Sequence, residues 1–189
     1  MKRLVTTVAA ALALNLAFAV EVEGVKYDDQ IKLGASDLVI NGTGVRSKFG
    51  KRYVAALYLS AKSGDANAIL AAKGSKRIAL TLLKDSDGKT FANAFLGAID
   101  DNSSPAELAA IKDRLKSFEG IMHAMNDVAK GSVLQIDWIP ETGTQISLNG
   151  KAAGKAIAGE DFYQALLKIW LGKEPVQKDL KQGLLGQPS

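Results

Sequence analysis

Arg46 is the residue whose surroundings most call for chemistry. It ends the run Asn41-Gly42-Thr43-Gly44-Val45 in an otherwise apolar, β-forming stretch. A guanidinium placed there must meet an anion or stand in water, because its charge does not titrate away. From spacing alone both outcomes are open. The single histidine, His123, follows Met122 near the end of a long helical pattern. An imidazolium gains from the helix dipole there, so a capping or surface role fits better than general-base catalysis, for which no orienting partner is in sight. The carboxylates Asp85, Asp87, Asp100 and Asp101 bracket another helical pattern. They lack the alternating spacing of a Ca²⁺ loop, and helix capping accounts for them.

Composition removes whole classes of function. The chain has no cysteine, which excludes disulfides, Cys-based zinc or iron–sulfur sites and thiol nucleophiles. A lone histidine excludes a multi-His metal cage. No G-x-S-x-G elbow and no complete G-x-x-x-x-G-K-[ST] phosphate loop occur, and Gly42-Thr43-Gly44 lacks the third glycine and helix start of a dinucleotide site. The expectation is therefore no metal and no cofactor. Lys and Arg number 24 against 20 Asp and Glu, a net charge of +4. So small an excess gives no case for nucleic acid as a partner.

The first nineteen residues carry an address. Met1-Lys2-Arg3 is a short positive start, Leu4 to Leu16 is largely apolar, and Ala17-Phe18-Ala19 is a small-x-small cleavage pattern. The apolar run is shorter than the ~20 residues of a spanning helix. We therefore expect residues 1–19 to be a bacterial signal peptide cut after Ala19. A single domain over residues 20–189 would be delivered to the periplasm or beyond, with no stable membrane insertion after cleavage.

Periodicity supplies the elements that must position the chemistry. Val20 to Leu33 suggests two short strands joined by a turn. Asp37 to Arg46 and Tyr53 to Ser60 are strands around the turn at Ser47–Lys51. Asp65 caps a short helix to Ala72, and Lys76 to Leu83 returns as a strand. A helix over Gly88 to Ile99 presents Phe91, Phe95 and Ile99 on one face. The next opens on Ser104, Pro105 and Glu107, a capping box, and its apolar stripe from Leu108 through Leu115 and Phe118 to Met125 predicts a core-facing helix from Pro105 to about Val128. Leu134, Ile136 and Trp138 alternate as in a strand, Thr144 to Leu148 pairs with it, and a third strand is expected over Lys151 to Ala158. A final firm helix spans Glu160 to Leu171, with one more turn around Asp179 to Leu184. The sum is one α+β domain, a mostly antiparallel sheet with helices on one face.

The run Gly42-Thr43-Gly44-Val45-Arg46, followed by Lys51-Arg52-Tyr53-Val54-Ala55-Ala56-Leu57-Tyr58-Leu59, resembles the G-x-G-x-R and K-(F/V)-(T/Y)-x-x-x-x-Y-L strands of chalcone isomerase-like proteins, here in an exported bacterial branch. Gly74-Ser75-Lys76-Arg77, Asn93, Lys155-Ala156-Ile157, Gly172 and Asp179-Leu180-Lys181 match further pieces in order, so the resemblance covers roughly Leu33 to Leu185. It implies an open-faced β-sandwich, a large antiparallel sheet with helices packed on one face and a ligand cleft between. It also implies that Arg46 holds a ligand's anionic oxygen, as both the ring-closing isomerases and the fatty-acid-binding branch use this arginine. The isomerase's strand threonine aligns with Tyr53, its helical tyrosine near Ser86, its helical asparagine with Asn93, and its Ser/Thr pair near Lys168 and Ile169. Of that polar set only Arg46 and Asn93 are kept.

Arg46, Tyr53, Asn93 and Ser86 are thus the ligand-binding candidates, and Arg46 and Tyr53 would carry any catalysis. The first reading is a protein that binds a small apolar anion, a fatty acid or phenolic compound. The second is an intramolecular lyase or isomerase of chalcone-isomerase type, acting by electrostatic stabilisation. The third is a non-binding structural periplasmic protein.

Overall fold

The computed structural model describes residues 19–188. Of the leader read from residues 1–19, only Ala19 falls among them. Three strands open the described residues where two were expected: β1 (Ala19–Val22), β2 (Val25–Asp28) and β3 (Gln30–Leu33). Glu23 and Gly24 adopt left-handed backbone, which folds β1 back on β2, while β3 leaves that hairpin to pair with β4 (Ser36–Ser47). β5 (Lys51–Leu59) follows. Asp65 then caps α1 (Ala66–Ala71) by accepting from the amides of Asn67 and Ala68.

After β6 (Lys76–Leu82) the chain leaves the sheet through the short β7 (Ser86–Asp87), α2 (Gly88–Asp101) and α3 (Pro105–His123), and returns by β8 (Asp127–Val128), which pairs with β7. The capping box of Ser104 and Glu107 forms as its spacing predicted. The helix stops at His123 rather than Val128, because the chain turns to hand the carbonyl of Met125 to the amide of Gly88. β9 (Val133–Ile139) and β10 (Gly143–Leu148) form the next hairpin. The strand expected over Lys151 to Ala158 shrinks to β11 (Lys151–Ala152). Gly154 instead packs under Ile121 of α3, so close that a Cβ would come 2.7 Å from its side chain, and beyond it the backbone pairs with the sheet at the Thr144–Ile157 bridge. α4 (Glu160–Leu171) and α5 (Lys178–Leu184) complete the fold.

Seven strands form one antiparallel sheet in the order β11-β10-β9-β6-β5-β4-β3. Alternation sorts β5 between two cores. Tyr53, Ala55, Leu57 and Leu59 face the helices, where Phe95, Phe118, Phe162 and Trp170 stack with centroids 5.5–6.2 Å apart. Val54, Ala56 and Tyr58 face the β1–β2 hairpin, and Tyr27 of that hairpin donates to Thr81 Oγ1 at 2.8 Å. The helix stripe of α3 is core, as predicted, with Ile111, Phe118 and Met122 buried. Leu108 and Leu115 are only partly covered, since α3 is an outer helix packed on α2 and α4.

Candidate functional site

The position of Arg46 is set by a bulge and two glycines. Along β4, Leu38 and Ile40 face the β1–β2 hairpin, and uninterrupted alternation would send Arg46 to the same side. The register slips between Ile40 and Gly42. One extra residue flips the phase, so Gly42, Gly44 and Arg46 point toward the helices. The extra residue, Asn41, is buried and held by Ser63 and by the carbonyl of Leu184 at 2.8 Å.

The glycines admit α5 directly onto the strand. A Cβ at Gly42 would strike the carbonyl of Gly183, and one at Gly44 would lie 2.8 Å from Leu180 Cδ1. Close seating of α5 puts its N-cap, Gln177, beside Arg46. Gln177 Oε1 accepts from Arg46 Nη1 at 3.2 Å and from the amide of Ser47 at 2.8 Å, while its Nε2 donates to the carbonyl of Val45 at 3.2 Å. Arg46 also donates to the carbonyl of Ser47 at 2.9 Å. Among the described residues it forms no ion pair.

Tyr53 lies directly across from Arg46 in the β4–β5 register. It is buried, and its hydroxyl oxygen accepts from Trp170 Nε1 at 3.0 Å. Burial pushes the phenol up to about 12, against the opposing pull of the Trp170 hydrogen bond and the Arg46 charge. The group therefore keeps its proton at neutral pH and can donate it.

Arg46 and Tyr53 open on a cleft of about 700 Å³ between the end of the β4–β5 hairpin, α2 and the loop after α4. Leu82, Phe91, Phe95 and Val176 supply apolar walls. Ser86 and Asn93 line the same cleft, so all four candidate residues are brought together. Ser86 stands in β7, ahead of the helix, and Asn93 is exposed on α2. The position assigned to the Ser/Thr pair falls elsewhere: Lys168 pairs with Glu107 at 2.8 Å and Ile169 is in the core. Glu174, Pro175 and Val176 line the cleft beyond α4 instead. Asn102 clamps that loop, donating to the carbonyl of Glu174 and accepting from its amide.

Several site residues were not singled out by the sequence. Lys48, Arg52 and Lys84 add positive charge at the cleft, and Asp101, read as a helix-end residue, lines it too. Gln177 had no signal of its own, since glutamine is not a preferred N-cap and the last turn was expected to begin only around Asp179, and Trp170 was read only as core. Asp87 caps α2 through Thr90, Asp85 accepts from the amide of Lys130, and His123 sits outside the cleft facing Glu119. Among the described residues no three His, Asp or Glu side chains come together as metal ligands, and no helix is long and apolar enough to cross a membrane.

One antiparallel sheet with helices on one face, a hairpin on the other and a cleft at the β4–β5 end defines an open-faced β-sandwich. The chain belongs to the chalcone isomerase-like family, whose model matches residues 19–186. Among solved structures it is similar to a fatty-acid binding protein of Arabidopsis thaliana, at a TM-score of 0.65 and 16% identity over 89% of this chain and 96% of that one. No curated protein matches it by sequence.

Proposed function

We propose that this protein binds a small apolar anion, a fatty acid or a phenolic compound, in the cleft. The observation that carries the reading is the cross-strand pair of Arg46 and Tyr53, a permanent cation beside a phenol that keeps its proton, opening together on a cleft with apolar walls. Arg46 anchors the anionic oxygen, Tyr53 donates a second hydrogen bond, Ser86 and Asn93 offer polar contacts, and Phe91, Phe95 and Val176 take up the hydrocarbon. The volume lies within the ~300–1,000 Å³ range of small-molecule sites, and the Arabidopsis relative in fold is itself a fatty-acid binding protein. We further propose that the leader exports the protein and that the mature chain starts at Val20. In support, the family match begins at residue 19.

Titration calorimetry with a fatty acid and with a phenolate tests the reading. Arg46→Ala is expected to weaken binding by about 2 kcal/mol, the low end for a charge pair, because the guanidinium is only partly buried. Equal affinity in the two proteins, or no binding by the parent, refutes the anchor. Besides its cations the cleft holds one buried donor, Tyr53, and the isomerase's strand threonine and helical tyrosine are replaced by Tyr53 and Ser86. Chalcone mixed with the protein is accordingly expected to cyclise at its spontaneous rate.

A further inference from the structure

At the tip of the β4–β5 hairpin Phe49 stands 94% exposed, on left-handed backbone at φ 53° that a bulky residue seldom adopts. Among the described residues it is the exposed large apolar side chain. A single exposed phenylalanine is ordinary by itself, but its neighbours here are basic. Lys48 precedes it, Arg52 follows at the start of β5, and Lys84 comes from beyond β6 to the same cleft mouth. Lys51 is paired with Glu23 at 2.6 Å, whereas Lys48, Arg52 and Lys84 form no ion pair among the described residues. The acids of the cleft, Asp101 and Glu174, come from the far end of α2 and the loop after α4.

We propose that this tip docks on the surface of an anionic bilayer. Phe49 enters the boundary between headgroups and acyl chains, Lys48, Arg52 and Lys84 meet lipid phosphates, and the cleft mouth turns toward the lipid. Charge complementarity selects this occupant: unpaired cations add attraction to anionic headgroups, about 1 kcal/mol each, to the insertion of the one aromatic between them. A stable protein partner would need about 1,200–2,000 Å² of buried surface, far more than a hairpin tip with one aromatic presents, while a bilayer needs no matching pocket. The protein lies on the membrane in this arrangement and does not span it. The inference rests on the hairpin and not on a cleft ligand.

Vesicle sedimentation tests it without any cleft ligand. Protein is purified from cells expressing the whole chain, its N-terminus is fixed by mass spectrometry, and it is spun with phosphatidylcholine vesicles with and without phosphatidylglycerol. The expected result is binding that requires phosphatidylglycerol and falls as salt rises. Phe49→Ser should weaken it about tenfold, the low end for losing a buried aromatic, while Phe49→Leu retains most of it. Lys48→Gln and Lys84→Gln should each weaken it about fivefold. No sedimentation of the parent, binding indifferent to phosphatidylglycerol, or binding unchanged in Phe49→Ser or in both lysine variants overturns the proposal. Calorimetry with Arg46→Ala reads the cleft separately, so the two can fail independently.

Discussion

Tyr53 carries two duties on one oxygen. It accepts from the buried indole of Trp170 and, in the function proposed above, donates its own proton into the cleft. Tyr53→Phe removes both. The orphaned indole N–H should lower stability by about 1–3 kcal/mol, read by urea unfolding, and ligand affinity should fall severalfold in the same preparation. A pH arm follows from the raised phenol. Because burial holds the group protonated in the fold, its contribution is fully present below its ordinary value of 10.0 and is lost as pH rises toward about 12. The stability gap between parent and Tyr53→Phe should therefore narrow over that window. A gap that stays constant would mean the hydroxyl is not buried in solution.

At the scale of elements, the Gly42-x-Gly44 spacing is a packing device for α5, and through α5 it is a positioning device for Arg46. Gly42→Ala forces a methyl group against the backbone of Gly183, a contact that neither side can relieve by rotating a side chain. Overpacking of this kind costs about 1–3 kcal/mol or more. Displaced α5 carries Gln177 with it and frees the guanidinium it holds. Lower stability and weaker ligand binding are expected together in Gly42→Ala. A variant that melts with the parent and binds normally would show that α5 does not rest on β4. The bidentate Arg77–Asp137 pair, 2.6 Å at both contacts, joins β6 and β9 where their register places the two residues opposite each other, at the end of the sheet away from the cleft.

For the molecule as a whole, the helix layer is fastened by aromatic stacking that runs from α2 through α3 to α4. Phe118 is fully buried at its centre, packed on Phe95 and Phe162. Phe118→Ala should cost about 3–5 kcal/mol, which in a domain of this size lowers Tm by roughly 10–15 °C. Leu115→Ala, half-covered on the outer side of the same helix, should cost clearly less. Thermal unfolding of the two variants side by side checks this, and equal losses would mean that α3 is seated differently. A sheet with one face under helices and the other under the β1–β2 hairpin leaves the end of the β4–β5 hairpin as the place where the layers part.

What could be read without coordinates was whatever local rules decide. The capping box at Ser104, the helix over Glu160 to Leu171 and the alternation of Leu134, Ile136 and Trp138 all follow from hydrogen-bonding needs and from periodicity within a few residues, and the structure keeps them. The motif around Arg46 was legible as well, together with the family it points to. Local rules failed where a distant partner makes the decision. The third strand after Lys151 breaks because Gly154 is claimed by Ile121 on α3. The side to which Arg46 points depends on one bulge residue, Asn41, whose amide is satisfied by Ser63 and by Leu184, 143 positions along the chain. A strand's alternation specifies two faces but not which one meets the helices. That choice was made by tertiary hydrogen bonds, and it is what turns an arginine in an apolar strand into one wall of a cleft.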